Sequence, residues 1–176
     1  AYSRYGLAPV LNVYSGATGA VLATATLGPA GYTPVAAVAV PHFAGSAANE
    51  VAVLLTAPER PARVVVVDAG RGRRLQSFGL ARTAAYLDIE VLPAAEGAAP
   101  TLVILAQGAD GTVRALQRDA ATGDRQGRVG FGQSLLPAAL VVLPGGAASG
   151  PRLALVGNDA AGALVVVARE AADGRL

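Results

Sequence analysis

The residues best suited to catalysis lie around a single histidine. His42 is the only histidine among the 176 residues, and Ser46 and Glu50 follow it within eight positions. A base, a nucleophile and a carboxylate that orients the base are the parts of a hydrolytic triad. These three residues fall in a loop between two apolar runs, which does not provide the rigid setting that a triad needs. The pattern favours a structural role for His42, and no catalytic residue is predicted.

A pair of acidic residues is the second candidate. Asp88 and Glu90 alternate within a run of apolar residues, so both side chains would point to the same face of a strand. Two carboxyl groups on one face are what glycoside hydrolysis uses. Without a supporting histidine and carboxylate constellation, a hydrolase is the least favoured function, and the chain is predicted not to be an enzyme.

Three arginines form the densest group of charges. Arg71, Arg73 and Arg74 flank a predicted hairpin turn, where they would form a solvated tip or a surface that contacts an anion or an acidic partner. The formal net charge is only +2, and aromatic residues make up 5% of the chain. Neither a basic footprint nor a set of stacking aromatics is present, so nucleic acid is not a predicted partner.

The elements that would position these residues are short strands. Apolar residues form 53% of the chain, but the apolar runs span about four to six residues and are separated by 22 glycines and 11 prolines. This length suits strands and is too short for a membrane span, so membrane insertion is not predicted. No cysteine is present, which excludes disulfide bonds and thiolate metal sites.

A repeat of about 51 residues organises these strands. Gly19, Gly72, Gly123 and Gly174 follow similar residues at intervals of 53, 51 and 51. The best examples of the motif are Asp68-Ala69-Gly70-Arg71-Gly72 and Asp119-Ala120-Ala121-Thr122-Gly123. An aspartate that binds the backbone two residues on, followed by a glycine with positive φ, is typical of a tight hairpin. Pro41, Pro93 and Pro144 recur at nearly the same interval, after apolar runs.

Each repeat unit is predicted to contain four strands. In the best-defined unit they cover residues 64–67, 73–78, 86–92 and 101–106. Runs such as Val64–Val67 and Leu164–Val167 are continuously apolar, as expected of strands covered on both faces by neighbouring sheets. The fold class is therefore all-β, with four-stranded antiparallel blades like those of a β-propeller and about 3.5 blades per chain. The single repeat domain, 1–176, divides into units of approximately 10–63, 64–113 and 114–164 with a partial unit at 165–176.

The segment from Val38 to Leu54 resembles the FG-GAP (VCBS) repeat of integrin-α-like β-propellers. In that family a strand leads into a calcium loop rich in aspartate and is followed by another apolar strand. Phe43, Gly45 and Glu50 occupy positions that match the family, and Phe78-Gly79 and Phe131-Gly132 resemble its Phe-Gly pair. The resemblance implies a propeller that is exposed at the cell surface or secreted, and that functions in adhesion or ligand binding.

The calcium ligands of that family are missing from this sequence. The corresponding positions hold His42, Ala44 and Ser46, and only Glu50 keeps a carboxylate. Because Ca²⁺ requires six to eight oxygen ligands with several carboxylates, these degenerate loops predict no metal. No cofactor is predicted either.

Three and a half units would leave apolar sheet faces open. Three explanations are possible: further units in a longer chain, self-association into a ring, or an open fibre. The favoured prediction is an extracellular, non-catalytic interaction module that forms a homo-oligomer or larger assembly, with a protein or glycan as a further ligand. A lectin-like propeller that binds carbohydrate is the alternative.

Overall fold

The protein consists of four antiparallel β-sheets. The computed structural model describes residues 7–41, 49–82, 84–92, 94, 99–133, 135–145 and 150–175, and these contain thirteen strands and no helix. The first sheet pairs β1 (Val10–Tyr14) with β2 (Val21–Thr26), and the second contains β3 (Thr33–Val40), β4 (Glu50–Ala57), β5 (Arg60–Asp68) and β6 (Arg73–Gly79). The third contains β7 (Ala84–Leu92), β8 (Thr101–Gly108), β9 (Val113–Asp119) and β10 (Arg125–Gly132). The fourth contains β11 (Leu136–Leu143), β12 (Arg152–Asn158) and β13 (Leu164–Glu170). The all-β prediction is confirmed.

Within every sheet, strands that are consecutive in the chain are hydrogen-bonded neighbours. The first strands of the last three sheets begin at residues 33, 84 and 136, and their second strands begin at 50, 101 and 152. The predicted unit boundaries at residues 63, 113 and 164 lie within β5, β9 and β13. Each predicted unit therefore joins the last two strands of one sheet to the first two of the next, because the sequence landmarks mark a hairpin and not the start of a sheet.

The first strand of each of these three sheets carries a β-bulge. The register shifts between Pro34 and Ala36, between Tyr86 and Asp88, and between Pro137 and Ala139. A bulge places one extra residue opposite the partner strand and bends the strand locally. The bulge in β7 pairs Asp88 with Leu105, whereas an unbroken register from Tyr86 and Ala106 would pair it with Ile104. The bulge therefore determines which face of the sheet carries Asp88.

The core lies between the sheets. Val64 and Val66 of β5 belong to a buried cluster with Ile104 of the third sheet, whereas Val65 and Val67 pack with Leu27, which follows the first sheet. All four valines are completely buried. Since successive side chains of a strand point to opposite faces, β5 contributes to two cores at once. This confirms the prediction for Val64–Val67.

The same prediction is wrong for Leu164–Val167. Val167 packs against the third sheet, but Leu164 and Val166 are 73% and 61% exposed. The fourth sheet is covered on one face only, because no further sheet lies beyond it among the described residues.

Candidate interaction surfaces

The four hairpin turns share one local geometry. Gly19, Gly72, Gly123 and Gly174 have φ between +63° and +79°, and each amide donates to the carbonyl oxygen four residues earlier. The Asp68 carboxylate is almost fully buried and accepts the amides of Gly70 and Arg71 at 2.9 and 3.1 Å. Asp119 accepts the amides of Ala121 and Thr122 in the same manner. These residues therefore build the turns.

Each of the last three turns also rests on the preceding sheet. A Cβ atom on Gly72 would lie 2.6 Å from the carbonyl oxygen of Thr24 in β2, and one on Gly123 would lie 2.6 Å from Cδ1 of Phe78 in β6. Gln76 of β6 donates to the carbonyl oxygens of Ala121 and Thr122 in the next turn. Similarly, Gln117 of β9 donates to Ala171 in the last turn at 2.7 Å. The hairpins predicted from sequence thus also connect one sheet to the next.

The predicted arginine cluster does not form a single surface. Arg71, Arg73 and Arg74 are all exposed, and Arg71 pairs with Asp68 at 3.4 Å. Arg73 and Arg74 are adjacent in β6, opposite Asp68 and Val67, so their side chains leave the sheet on opposite faces. Their proximity in sequence does not produce convergence in space.

Asp88, one member of the acid pair, joins two sheets. Asp88 and Glu90 lie in β7 opposite Leu105 and Val103, which places them on the same face, as predicted. One carboxylate oxygen of Asp88 accepts the backbone amide of Leu140 in β11 at 3.0 Å, and the other accepts the amide of Ile89. Both oxygens of Asp88 thus hold backbone groups, and the observed role of Asp88 is structural.

The folded protein is more stable when the Glu90 carboxyl group is protonated. Burial, and then the negative charge of Asp88, raise the pKa of Glu90 above its ordinary value. A carboxyl group whose pKa is raised on folding contributes stability below its unfolded pKa, and this is lost as the pH rises through the folded pKa. We expect Glu90→Gln to raise the melting temperature near pH 7 and to have less effect near pH 4. Melting curves across this range would show it, with Glu59→Gln at an exposed hairpin as a control. If Glu90→Gln raised the melting temperature no more near pH 7 than near pH 4, the expectation would be contradicted.

Most of the candidate calcium loop lies outside the described residues. His42, Ala44 and Ser46 belong to this part, whereas Glu50 is completely buried at the start of β4, opposite Asp68. Within the described ranges, no group of three or more histidine, aspartate or glutamate residues is arranged to hold a metal ion.

The remaining polar candidates form turns or fill the core. Asp110 accepts the Thr112 amide at 3.0 Å beside Gly111, and Asp159 accepts the Ala161 amide at 2.9 Å. The hydroxyl groups of Tyr32 and Tyr86 are hydrogen-bonded to backbone carbonyl oxygens, and both side chains are buried. Tyr14 is exposed, and Tyr2 and Tyr5 lie outside the described residues. The tyrosines do not gather around a common site in the described part of the chain.

A group of exposed apolar residues lies on the outer face of the fourth sheet. Strand pairing and alternation place five exposed apolar residues together on this face. We call them the open face: Leu136, Val141, Leu143, Leu164 and Val166. Exposed apolar surfaces of this kind mark sites of association. The outer face of the first sheet is mixed in character, since Thr24 and Asn12 are hydrogen-bonded to each other there and Tyr14 is exposed nearby.

Comparisons with protein-family models, curated proteins and solved structures found no match for this chain.

The described residues include no helix that is long and apolar enough to cross a membrane.

Proposed function

We propose that this chain is a non-catalytic interaction and assembly module whose open face is covered by a second copy. The observation that carries the proposal is a comparison of equivalent positions. Val64, Ala115 and Val166 each lie eight residues before a hairpin glycine. Val64 and Ala115 are completely buried against the third and fourth sheets, whereas Val166 is exposed.

A second position supports the same conclusion. Ala62 and Val113 are buried between sheets, but Leu164, at the equivalent place in β13, is exposed. The side chains of β13 are therefore those of a strand that another sheet covers. Since the inner surfaces of the molecule are made by sheets packing face to face, a sheet of the same kind is the occupant that fits the open face.

The sheets are proposed to be blades of a β-propeller. Two sheets have four strands in consecutive order, which is the connectivity of a propeller blade. The first strands of neighbouring sheets lie close together, as the Asp88–Leu140 hydrogen bond between β7 and β11 requires. The resemblance of the sequence to FG-GAP repeats supports the same architecture and an extracellular or cell-surface location.

The geometry of the contact determines the form of the assembly. Contact between two open faces closes at two copies, whereas contact between an open face and the first sheet of another copy gives a ring or a filament. The outer face of the fourth sheet is mainly apolar, although Arg152, Asn158 and Glu170 also lie on it, and the outer face of the first sheet is mixed. This difference favours pairing of two open faces.

The experiment is a measurement of mass in solution. We expect sedimentation velocity to show a dimer that dissociates on dilution, and negative-stain images to show discrete particles. If the images show rings or fibres, the chain self-associates, but through contact between an open face and the first sheet of another copy and not through two open faces. A chain that stays monomeric at every concentration would overturn the proposal and would indicate coverage by further sheets of a longer chain.

A further inference from the structure

Four arginines of the third sheet surround one cavity. Arg114 and Arg118 of β9 and Arg125 and Arg128 of β10 line a cavity of about 240 Å³ together with Tyr86 and Leu116. The strand register explains this arrangement, because Arg125 lies opposite Arg118 and Arg128 lies opposite Leu116. Residues that are directly opposite share a face of the sheet. All four arginines therefore belong to the face that is directed toward the second sheet.

The cavity carries positive charge without a matching acid. No carboxylate is among the described residues that line it, and none of the four arginines forms an ion pair with a residue that the structure describes. Hydrogen bonds from Thr112, and more weakly the charge of Arg114, lower the pKa of Asp110, which is exposed outside the cavity. Like charges directly opposite each other destabilise a sheet. The arrangement of Arg118 and Arg125 is therefore unfavourable until an anion neutralises it.

One guanidinium group has an unused donor. Nη1 of Arg118 donates to the carbonyl oxygen of Gly123 at 3.4 Å, but its buried Nε–H has no hydrogen-bond partner in the described structure. A buried donor without a partner is energetically costly, and an oxyanion would satisfy it. Arg169 repeats this arrangement in the fourth sheet, so the unused donor supports an anion site only in combination with the other arginines.

Two of these four arginines have arginine equivalents in the second sheet, and two do not. Nine residues before Gly72 and Gly123 lie Arg63 and Arg114, but five residues before them lie Val67 and Arg118. Likewise, Ser77 and Arg128 both lie five residues after these glycines. The second sheet thus has an apolar and a small polar residue where the third has two arginines. Arg125 corresponds to Arg74, since each lies two residues after its hairpin glycine, so the third sheet differs from the second by the two additional arginines Arg118 and Arg128.

We propose that this cavity binds a small organic anion that carries a phosphate or sulfate ester. The guanidinium groups would hold the tetrahedral oxyanion, since their planar forks match such groups through paired hydrogen bonds. Leu116, the ring of Tyr86 and nearby alanines provide an apolar wall against which the organic part would pack. This site is separate from the open face and does not depend on self-association.

The test is isothermal titration calorimetry at low salt with glucose 6-phosphate, glucose 6-sulfate, inorganic phosphate and glucose. We expect one ester per chain to bind, inorganic phosphate to bind more weakly and glucose not to bind. The double variant Arg125→Ala/Arg128→Ala should weaken ester binding at least ~10-fold, because it removes two guanidinium partners. The matched control Arg73→Ala/Arg74→Ala removes the same charge at the hairpin tip and should leave binding unchanged.

Three results would overturn the proposal: no ester binds, glucose binds as well as the esters, or both double variants weaken binding equally. Preference between the two esters would identify the oxyanion. Melting curves test whether the double variant still folds. Arg125 and Arg128 are exposed, and Arg125 lies opposite Arg118, so their loss should not lower the melting temperature.

Discussion

Replacing Gly72 by alanine is expected to lower the free energy of unfolding by about 3 kcal/mol, whereas the same change at Gly19 costs about 1 kcal/mol. Both glycines occupy the same position of the same type of hairpin, with φ of +63° and +70°. An L-residue at either position pays the energy of the left-handed backbone conformation. Only Gly72 adds a collision with another sheet.

The collision at Gly72 is with backbone and cannot be relieved by a rotamer change. A Cβ atom would lie 2.6 Å from the carbonyl oxygen of Thr24 and 3.2 Å from its carbonyl carbon, whereas nothing lies within 4 Å of a Cβ at Gly19. Forcing extra atoms into a packed contact typically costs 1–3 kcal/mol. The second turn must therefore shift away from β2, or the first sheet must move.

Urea unfolding of the two variants and the parent would measure this difference. Gly123→Ala is a third comparison, because its Cβ would meet the Phe78 side chain, which can rotate more easily than backbone can move. We expect its effect to fall between those of the other two. Equal losses at Gly72 and Gly19 would mean that the turn does not rest on the first sheet.

The local structure of the turns could be predicted from sequence, but their contacts could not. An aspartate followed four residues later by glycine specifies the hairpin through hydrogen bonds that are local. The residues that meet across sheets are distant in sequence, as Gly72 and Thr24 or Gly123 and Phe78 show. Their contact depends on how far each sheet is displaced relative to its neighbour, and this displacement cannot be predicted from the spacing of residues in the sequence.

The arginines illustrate the same limit for the candidate sites. Arg71, Arg73 and Arg74 were predicted as a surface because they are close in sequence, yet alternation along β6 separates two of them. Arg118 and Arg125 are further apart in sequence and lie directly opposite each other. The alternation of Arg114 and Arg118 around Leu116 was a visible signal, but the bulge between Arg125 and Gly127 conceals the register of β10.

The exposure of Leu164 and Val166 in β13 could not be predicted from the residues of that strand. Continuous apolar character correctly predicted that Val64–Val67 would be covered on both faces, but it cannot reveal whether a neighbouring sheet is present. Apolar residues on both faces of a strand are typical of a strand that is covered on both faces in the functional state. The apolar residues on the outer face of β13 are therefore consistent with a partner that covers this face.

The substitution Val166→Asp is expected to abolish self-association and leave the fold intact, whereas Val64→Asp should unfold the protein. The two valines occupy equivalent positions, but Val64 is completely buried and Val166 is 61% exposed. An unpaired carboxylate buried at position 64 would cost several kcal/mol, which is a large part of the stability of a domain. At position 166 the carboxylate stays hydrated in the single chain, and the loss of β-propensity costs at most about 1 kcal/mol.

In the assembled state the two positions become alike, because a second copy would cover Val166 as the third sheet covers Val64. Sedimentation velocity should therefore show the Val166→Asp variant as a monomer at concentrations where the parent is associated. The melting temperature of the parent should rise with concentration, since association stabilises the folded state by mass action, and that of the variant should not. Leu87→Asp places the same charge on an exposed apolar residue of the third sheet and should leave association unchanged. If Val166→Asp associates as the parent does, the covering partner does not bind through β13, and the open face is not the interface.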